Sequence, residues 1–285
     1  MTAYNMTAAR QVIIHGDCWP VVSAVQAVVR AMRPECRCDI AESLPCLLQR
    51  LTGAPEAVLI LCLRPREHIY LFYALKSLLL DHPVLVISDE LLFSDRLVLR
   101  CWGDIPCAPY CEIQTIISGL QKYGHCPYPL KGTLAKFLSV PECVTGFFEV
   151  PVIFNNPKRL MRYMALLMHR AISNCGVTSS QQKLLWALYK GHYSLSGLTK
   201  ILSKNEKQIW QDKNRLLVKL GMKNRLYELL YGTRFCPDMQ RTAFISPADA
   251  KKLYGDERPT TGADVKYQQI ASDSCIHTTP IRKDA

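Results

Sequence analysis

Along the first 122 positions, apolar residues follow two alternating rhythms. Gln11–His15, Ala57–Leu63 and Val84–Ser88 are short apolar runs, the pattern of buried strands. Between and after them, helical spacing takes over in Val22, Val25, Val28, Val29 and Met32, in Ile69–Leu80 and in Glu112–Leu120. Cys36–Ile40 and a stretch near 105–108 supply two further strands, and Leu44–Leu51 and residues 91–101 two further helices. Ala57–Leu63 has no polar position at all, which predicts a central parallel strand covered on both faces. Five strand–helix units in this length predict a doubly wound parallel sheet.

The rhythm then changes. Gly124, Pro127, Pro129, Gly132, Pro141, Gly146, Pro151 and Pro157 interrupt residues 123–157. Within them Gly146–Phe154 reads as a strand that Pro151 confines to an edge. Pro157 starts a helix to about Asn174 whose one side carries Leu160, Met161, Met164, Leu167, Met168 and Ile172. That stripe reads as core, with Lys158, Arg159, Arg162 and Arg170 on the other side. Thr178-Ser179-Ser180-Gln181 opens the next helix as a capping box, and Gly191 lies just past its end. Leu198–Leu202 spans one or two helical turns. Asn205, with Gln208 in the reciprocal position, caps a third helix to Leu220; Gly221 closes it, and Asn224 opens a fourth through Leu226, Leu229 and Leu230. The tail is polar apart from one short exposed helix begun by Ser246-Pro247. The segments are therefore an α/β domain at 1–125, a connector at 126–176 with its helix at 157–174, a four-helix domain at 177–232, and a polar, partly flexible tail at 233–285.

Charge sharpens this division. The chain of 285 residues has a formal net charge of +11, yet residues 1–125 carry 11 Lys or Arg against 12 Asp or Glu. Residues 177–232 carry ten against three, so the positive charge sits on the small helical domain. On its third helix, Ile209, Asp212, Leu216 and Leu220 fall on one side, with Leu217 at its edge. Lys207, Gln211, Asn214 and Val218 fall opposite, flanked by Gln208, Trp210 and Arg215. Amide side chains with basic flanks suit base edges and phosphates respectively.

The series Val177-Thr178, Gly191, Asn205-Glu206-Lys207-Gln208-Ile209 and Lys219-Leu220-Gly221-Met222-Lys223-Asn224-Arg225 resembles the helix-turn-helix of LuxR/NarL/FixJ-type transcription regulators. It covers about a fifth of the chain, and its last seven residues are the most specific part. Departures are Gln181 and Gln182 where a Glu is usual, Asp212 for a common His, and Trp210 for a frequent Lys. The resemblance implies that Lys204, Lys207, Gln208, Trp210, Gln211, Lys213, Asn214, Arg215, Lys223 and Arg225 contact double-stranded DNA. It also implies dimers, each helix-turn-helix reading one half-site.

Ahead of such a unit, the α/β domain resembles a flavodoxin-like receiver domain, and the fold class is α/β plus all-α. A receiver needs carboxylates at the C-terminal ends of strands one and three. Strand one ends in His15-Gly16-Asp17-Cys18, and the phosphoacceptor position falls on Leu61, among Leu59, Ile60, Cys62 and Leu63. Ser88 matches the hydroxyl expected after strand four, whereas no Lys occurs in Ile105–Pro109. The domain resembles a degenerate receiver that cannot be phosphorylated, with Asp17 expected as a turn residue rather than a metal ligand. The combination is similar to the auxiliary regulators of the BglJ/RcsA kind.

The reading is a cytoplasmic, sequence-specific DNA-binding transcription regulator, a dimer with itself or with a related regulator, without a cofactor or metal and not an enzyme. The alternative is a protein-binding module that sequesters a partner regulator without reading DNA; Trp210 and Asp212 favour it. The thirteen cysteines form no C-x-x-C pair and read as buried free thiols. No nucleotide-binding, nucleophile-elbow or zinc-protease motif occurs. The apolar stretch Ala57–Leu80 is broken by Arg64, Arg66, Glu67, His68 and Lys76, which excludes a membrane span.

Overall fold

In the chain, strand β1 (Gln11–Gly16) leads to helix α1 (Trp19–Met32), β2 (Arg37–Ala41), α2 (Leu44–Thr52) and β3 (Val58–Cys62). Then follow α3 (Ile69–Ala74), α4 (Leu78–Asp81), β4 (Val84–Ser88), α5 (Phe93–Cys101), β5 (Cys107–Pro109) and α6 (Tyr110–Tyr123). The five strands are all parallel, in the order β2-β1-β3-β4-β5. That is the flavodoxin-like order. The computed structural model describes residues 10–123, 132–191, 194–223 and 226–255.

Strand alternation sorts the core. Val12, Ile14, Val58, Ile60, Leu85 and Ile87 point to one face and meet α1, α6 and α7 (Thr133–Ser139). Ile13, Leu59, Leu61, Val84 and Val86 point to the other and meet α2, α3 and α5. Every residue of β3 and β4 is buried, as the continuous apolar runs require. Each such aliphatic side chain contributes about 1.5–3 kcal/mol relative to exposure.

The second core runs on without a break into the helical half. Helix α8 (Pro157–Asn174) buries Leu160, Met161, Met164, Leu167, Met168 and Ile172, and its Lys and Arg residues stay exposed. Beyond it lie α9 (Ser179–Tyr189), α10 (Leu195–Leu202), α11 (Glu206–Lys219) and α12 (Leu226–Gly232). Helix α12 packs on α5. There Ser94 Oγ donates to the Tyr231 carbonyl at 3.0 Å, and the Tyr227 hydroxyl donates to Glu90 Oε1 at 3.0 Å. Arg96 reaches the carbonyl of Leu220 at the end of α11.

Four details differ from the sequence pattern. The helix expected over Ile69–Leu80 is broken between α3 and α4, at a turn where the Lys76 ammonium reaches the Val150 carbonyl. Gly146–Phe154 makes only an isolated antiparallel bridge, Phe148 to Trp102, because Pro151 cannot extend a ladder. The described cysteines are free, but not uniformly buried: Cys38, Cys62 and Cys101 are, whereas Cys18, Cys111 and Cys143 are exposed. The short helix begun at Ser246-Pro247 is present as α13 (Pro247–Gly255), with Ala250 buried rather than exposed. Residues 240–242, in the polar tail, lie against the C-terminal ends of the strands.

Candidate nucleic-acid interface

Helices α10 and α11 form the helix-turn-helix, and each start is fixed locally. Thr178 Oγ1 accepts from the Gln181 amide, and Gln181 Oε1 accepts in return from the Thr178 amide. Asn205 and Gln208 repeat this reciprocal cap on α11, at 2.9 and 3.2 Å. Ser194 caps α10 at the Gly197 amide. Gly221, at φ 57°, takes the left-handed position that ends α11. Ile209, Leu216, Leu217 and Leu220 are buried, and α11 packs on α9 and α10.

The turn between α10 and α11 is tied down by a polar cluster. Lys204 Nζ reaches both Asp212 Oδ2 and Ser180 Oγ, and Ser180 Oγ donates to Asp212 Oδ2 at 2.6 Å. Burial alone would raise the Asp212 carboxyl; the Lys204 and Ser180 bonds outweigh it and hold the group below its usual range. Asp212 thus faces α9 as a pinned anion and does not repel a phosphate backbone.

The expected DNA-contacting residues fall into distinct positions. Lys207, Gln211 and Arg215 lie four apart along one row of α11, and Trp210, Asn214 and Val218 form the adjacent row. Lys207, Gln208, Trp210, Arg215 and Lys223 are exposed, and Gln211 and Asn214 are half-buried. Trp210 is 55% and Val218 78% exposed. The Oδ1 of Asn214 is shielded and has no hydrogen-bond partner. Lys213 stands apart from this ridge, four residues from Ile209 and half-buried on its side of the helix. Lys204 is engaged with Asp212, and the Gln208 side chain with its own helix start. Arg225 lies outside the described residues.

A second cluster, unforeseen in its extent, sits at the C-terminal ends of β1, β3 and β4, around a hollow of about 170 Å3. Arg241 lies there, from the segment after α12, with Nη1 2.6 Å from Asp17 and Nε 2.9 Å from Glu67. Its backbone amide donates to the Glu67 carbonyl at 2.9 Å. Gln240 bridges the Arg66 carbonyl and the Ile69 amide at 2.8 and 2.9 Å. His68 spans Thr242 Oγ1 at 2.9 Å and Asp17 Oδ2 at 3.3 Å. Arg64 grips Asp89 at 2.9 and 2.5 Å, and buried Arg66 holds Asp95 at 2.5 Å and Glu90 at 2.7 Å.

The hydrogen bond to His68, with smaller help from Arg241, holds the Asp17 carboxyl below its usual range. Leu61 is 0% exposed within β3. Among the described residues, no three His, Cys, Asp or Glu side chains gather as metal ligands. Sequence reasoning reached Asp17 but missed Gln240, Arg241 and Thr242, which come from more than 220 positions away in the case of Arg241 and Asp17.

Sheet order, connector helix and capped helix-turn-helix define the class of fold: a flavodoxin-like, receiver-like α/β half joined to a four-helix half. No protein-family model and no curated protein matches the chain. Among solved structures it is similar to the two-component response regulator RcsB in a DNA complex, at 17% identity over 78% of this chain and 97% of that one, with a TM-score of 0.44. It is similar also to RcsB from Salmonella enterica serovar Typhimurium bound to promoter rprA with the phosphomimetic BeF3-, at 16% identity over 78% and 97%, TM-score 0.41. A third is the response regulator ChrA of a heme-sensing two-component system, at 13% identity over 79% and 96%, TM-score 0.25. At these low values the fold assignment rests on the strand order and helix arrangement themselves.

Proposed function

We propose that the chain is a sequence-specific, double-stranded-DNA-binding transcription regulator that acts as a homodimer or with a related regulator. The observation that carries this reading is the α11 ridge. Lys207, Gln211 and Arg215 line one row, and the helix's one central acid, Asp212, is turned inward and neutralised by Lys204. Such a ridge offers an amide to base edges between two cations for the flanking phosphates. The receiver-like half is not switched by aspartyl phosphorylation. An apolar Leu61 occupies the acceptor position, and the guanidinium of Arg241 lies between Asp17 and Glu67 where a metal would need free carboxylates.

Selection of bound duplexes from a random pool, followed by gel shifts, tests the reading. A defined motif should emerge, and Gln211→Ala should relax it at one position. Retention of no motif, with binding indifferent to Lys207→Ala and Arg215→Ala, overturns it. The exposed Trp210 and Val218 favour a second reading, in which α11 docks on another protein and sequesters it. Substituting these two alone would then abolish the complex and leave DNA binding intact.

A further inference from the structure

Between α8, α9, α10 and the segment that follows α12 lies an open groove of about 780 Å3. Its walls are chiefly apolar: Met168 and Ile172 come from α8, Trp186 from α9, Ile201 from α10 and Phe235 from the segment beyond. The size is that of sites for small organic molecules, about 300–1,000 Å3. Trp186 and Ile201 are 62% and 49% exposed on it, so the groove is not filled by the described chain.

The charged residues on the groove are of one sign. Lys183, Lys190 and Arg234 line it, and no Asp or Glu does. Arg234 is the informative one. Its guanidinium lies 5.5 Å over the Tyr189 ring, yet its Nε is shielded from solvent and has no hydrogen-bond partner. None of the ion pairs among the described residues includes Arg234, whereas Arg64, Arg66 and Arg241 each hold at least one carboxylate. A carboxylate is the acceptor whose geometry matches a guanidinium fork, and a ligand in the groove meets Arg234 through its terminal nitrogens, since the shielded Nε is out of reach.

From the groove, its single-sign rim and an Arg234 held in no ion pair we infer that this is a binding site for a small organic carboxylate with an apolar body. The apolar part lies against Met168, Ile172 and Trp186, and the carboxylate faces Arg234, with Lys183 and Lys190 adding attraction at the mouth. The walls belong to the connector helix and to two helices of the four-helix half, so occupancy bears on the elements that hold α11. That consequence rests on the DNA-binding reading; the binding itself does not, and is measured without DNA.

The experiment is calorimetric titration of the full chain with decanoate and with naphthoate, and with decanol as the uncharged counterpart. Saturable binding of at least one carboxylate is expected, on the order of tenfold tighter than decanol. Whether decanoate or naphthoate binds better tells an acyl body from an aromatic one. Arg234→Gln should weaken the carboxylate to the level of decanol and leave decanol unchanged. Lys183→Gln, at an exposed position, should weaken the carboxylate less. Ala165→Trp, also exposed and on the groove wall, should abolish binding of all three while the melting temperature stays the same. The inference is overturned by the absence of saturable binding, by equal binding of decanol and the carboxylates, or by carboxylate binding that survives both Arg234→Gln and Ala165→Trp.

Discussion

Replacing Arg241 with Ala removes a guanidinium that lies 2.6 Å from Asp17 and 2.9 Å from Glu67. What each carboxylate keeps decides the cost. Asp17 retains His68 at 3.3 Å, and Glu67 retains Arg64 at 3.3 Å and Arg66 at 3.7 Å. Neither charge is orphaned, so the penalty of roughly 3–5 kcal/mol for breaking a buried pair does not apply. The Arg241 side chain is also 53% exposed, and solvent screens it. The two bonds together then amount to about 1–2 kcal/mol.

Their pH dependence has a definite sign. A carboxylate with a depressed folded pKa stabilises the fold above its unfolded value, and that stability is lost as pH falls through the folded one. Asp17 is such a group, held down first by His68 and then in part by Arg241. The difference between wild type and Arg241→Ala is therefore constant near neutrality and shrinks below about pH 4. Urea titrations at about pH 7 and about pH 3.5 measure it. Hydrogen exchange at the amides of Ile69 and residue 241, which bond Gln240 Oε1 and the Glu67 carbonyl, shows whether the segment lifts. An unchanged urea midpoint at neutral pH, with unchanged exchange at both amides, refutes the idea that Arg241 fastens this segment.

Asn205→Ala removes the side-chain acceptor at the start of α11 and should cost about 1 kcal/mol in a thermal melt. An unchanged melting temperature would mean that the cap adds nothing to packing. Lys207→Ala and Arg215→Ala should each weaken binding to all duplexes alike and lower the salt slope by about one unit, whereas Gln211→Ala should cost roughly 1–3 kcal/mol at a single base pair. Unchanged slopes would place those two cations away from the DNA backbone. Treatment with acetyl phosphate should leave no phosphoaspartate; mass spectrometry that finds one on Asp17 or Asp89 would overturn the assignment of a non-phosphorylatable domain. In a double-mutant cycle, Arg241→Ala and Tyr227→Phe should give a coupling term of about 0.5 kcal/mol or more in urea unfolding, and strict additivity would show the two ends of the ion-pair network to be independent.

The α/β half was legible because its signals are local. Runs such as Val58–Cys62 and Val84–Ile87 have no polar residue to spare for solvent, and only a central parallel position accommodates that. The helix-turn-helix was legible for the same reason, since Thr178 with Gln181 and Asn205 with Gln208 act across three residues. The orientation of α11 was partly legible. Asp212 was correctly set on the inner side with Ile209 and Leu216, whereas Lys213, which the same count puts one turn from Ile209, was grouped with the outward cations. Arg241 gave no local signal at all: its partners follow β1 and β3, and nothing in a polar tail marks one arginine among its neighbours. Arg234 was equally silent, because the absence of a partner is a property of the folded surroundings.

The distribution of charge links these observations. Five acids gather near the strand ends of this sheet, and cations keep such acids from repelling one another. Here the chain supplies them from within. Arg64, Arg66 and Arg241 answer Asp17, Glu67, Asp89, Glu90 and Asp95, and no pair in that set depends on a dissociable ion. The network does not stop at the sheet. Arg66 holds Glu90, and Glu90 accepts from Tyr227 of α12, so the C-terminal segment, the strand ends and the four-helix half share one contiguous set of polar contacts. A covalent cation of this kind cannot leave or be exchanged. A signal acting through this contact set therefore has to shift the segment that carries Arg241 or the helix that carries Tyr227.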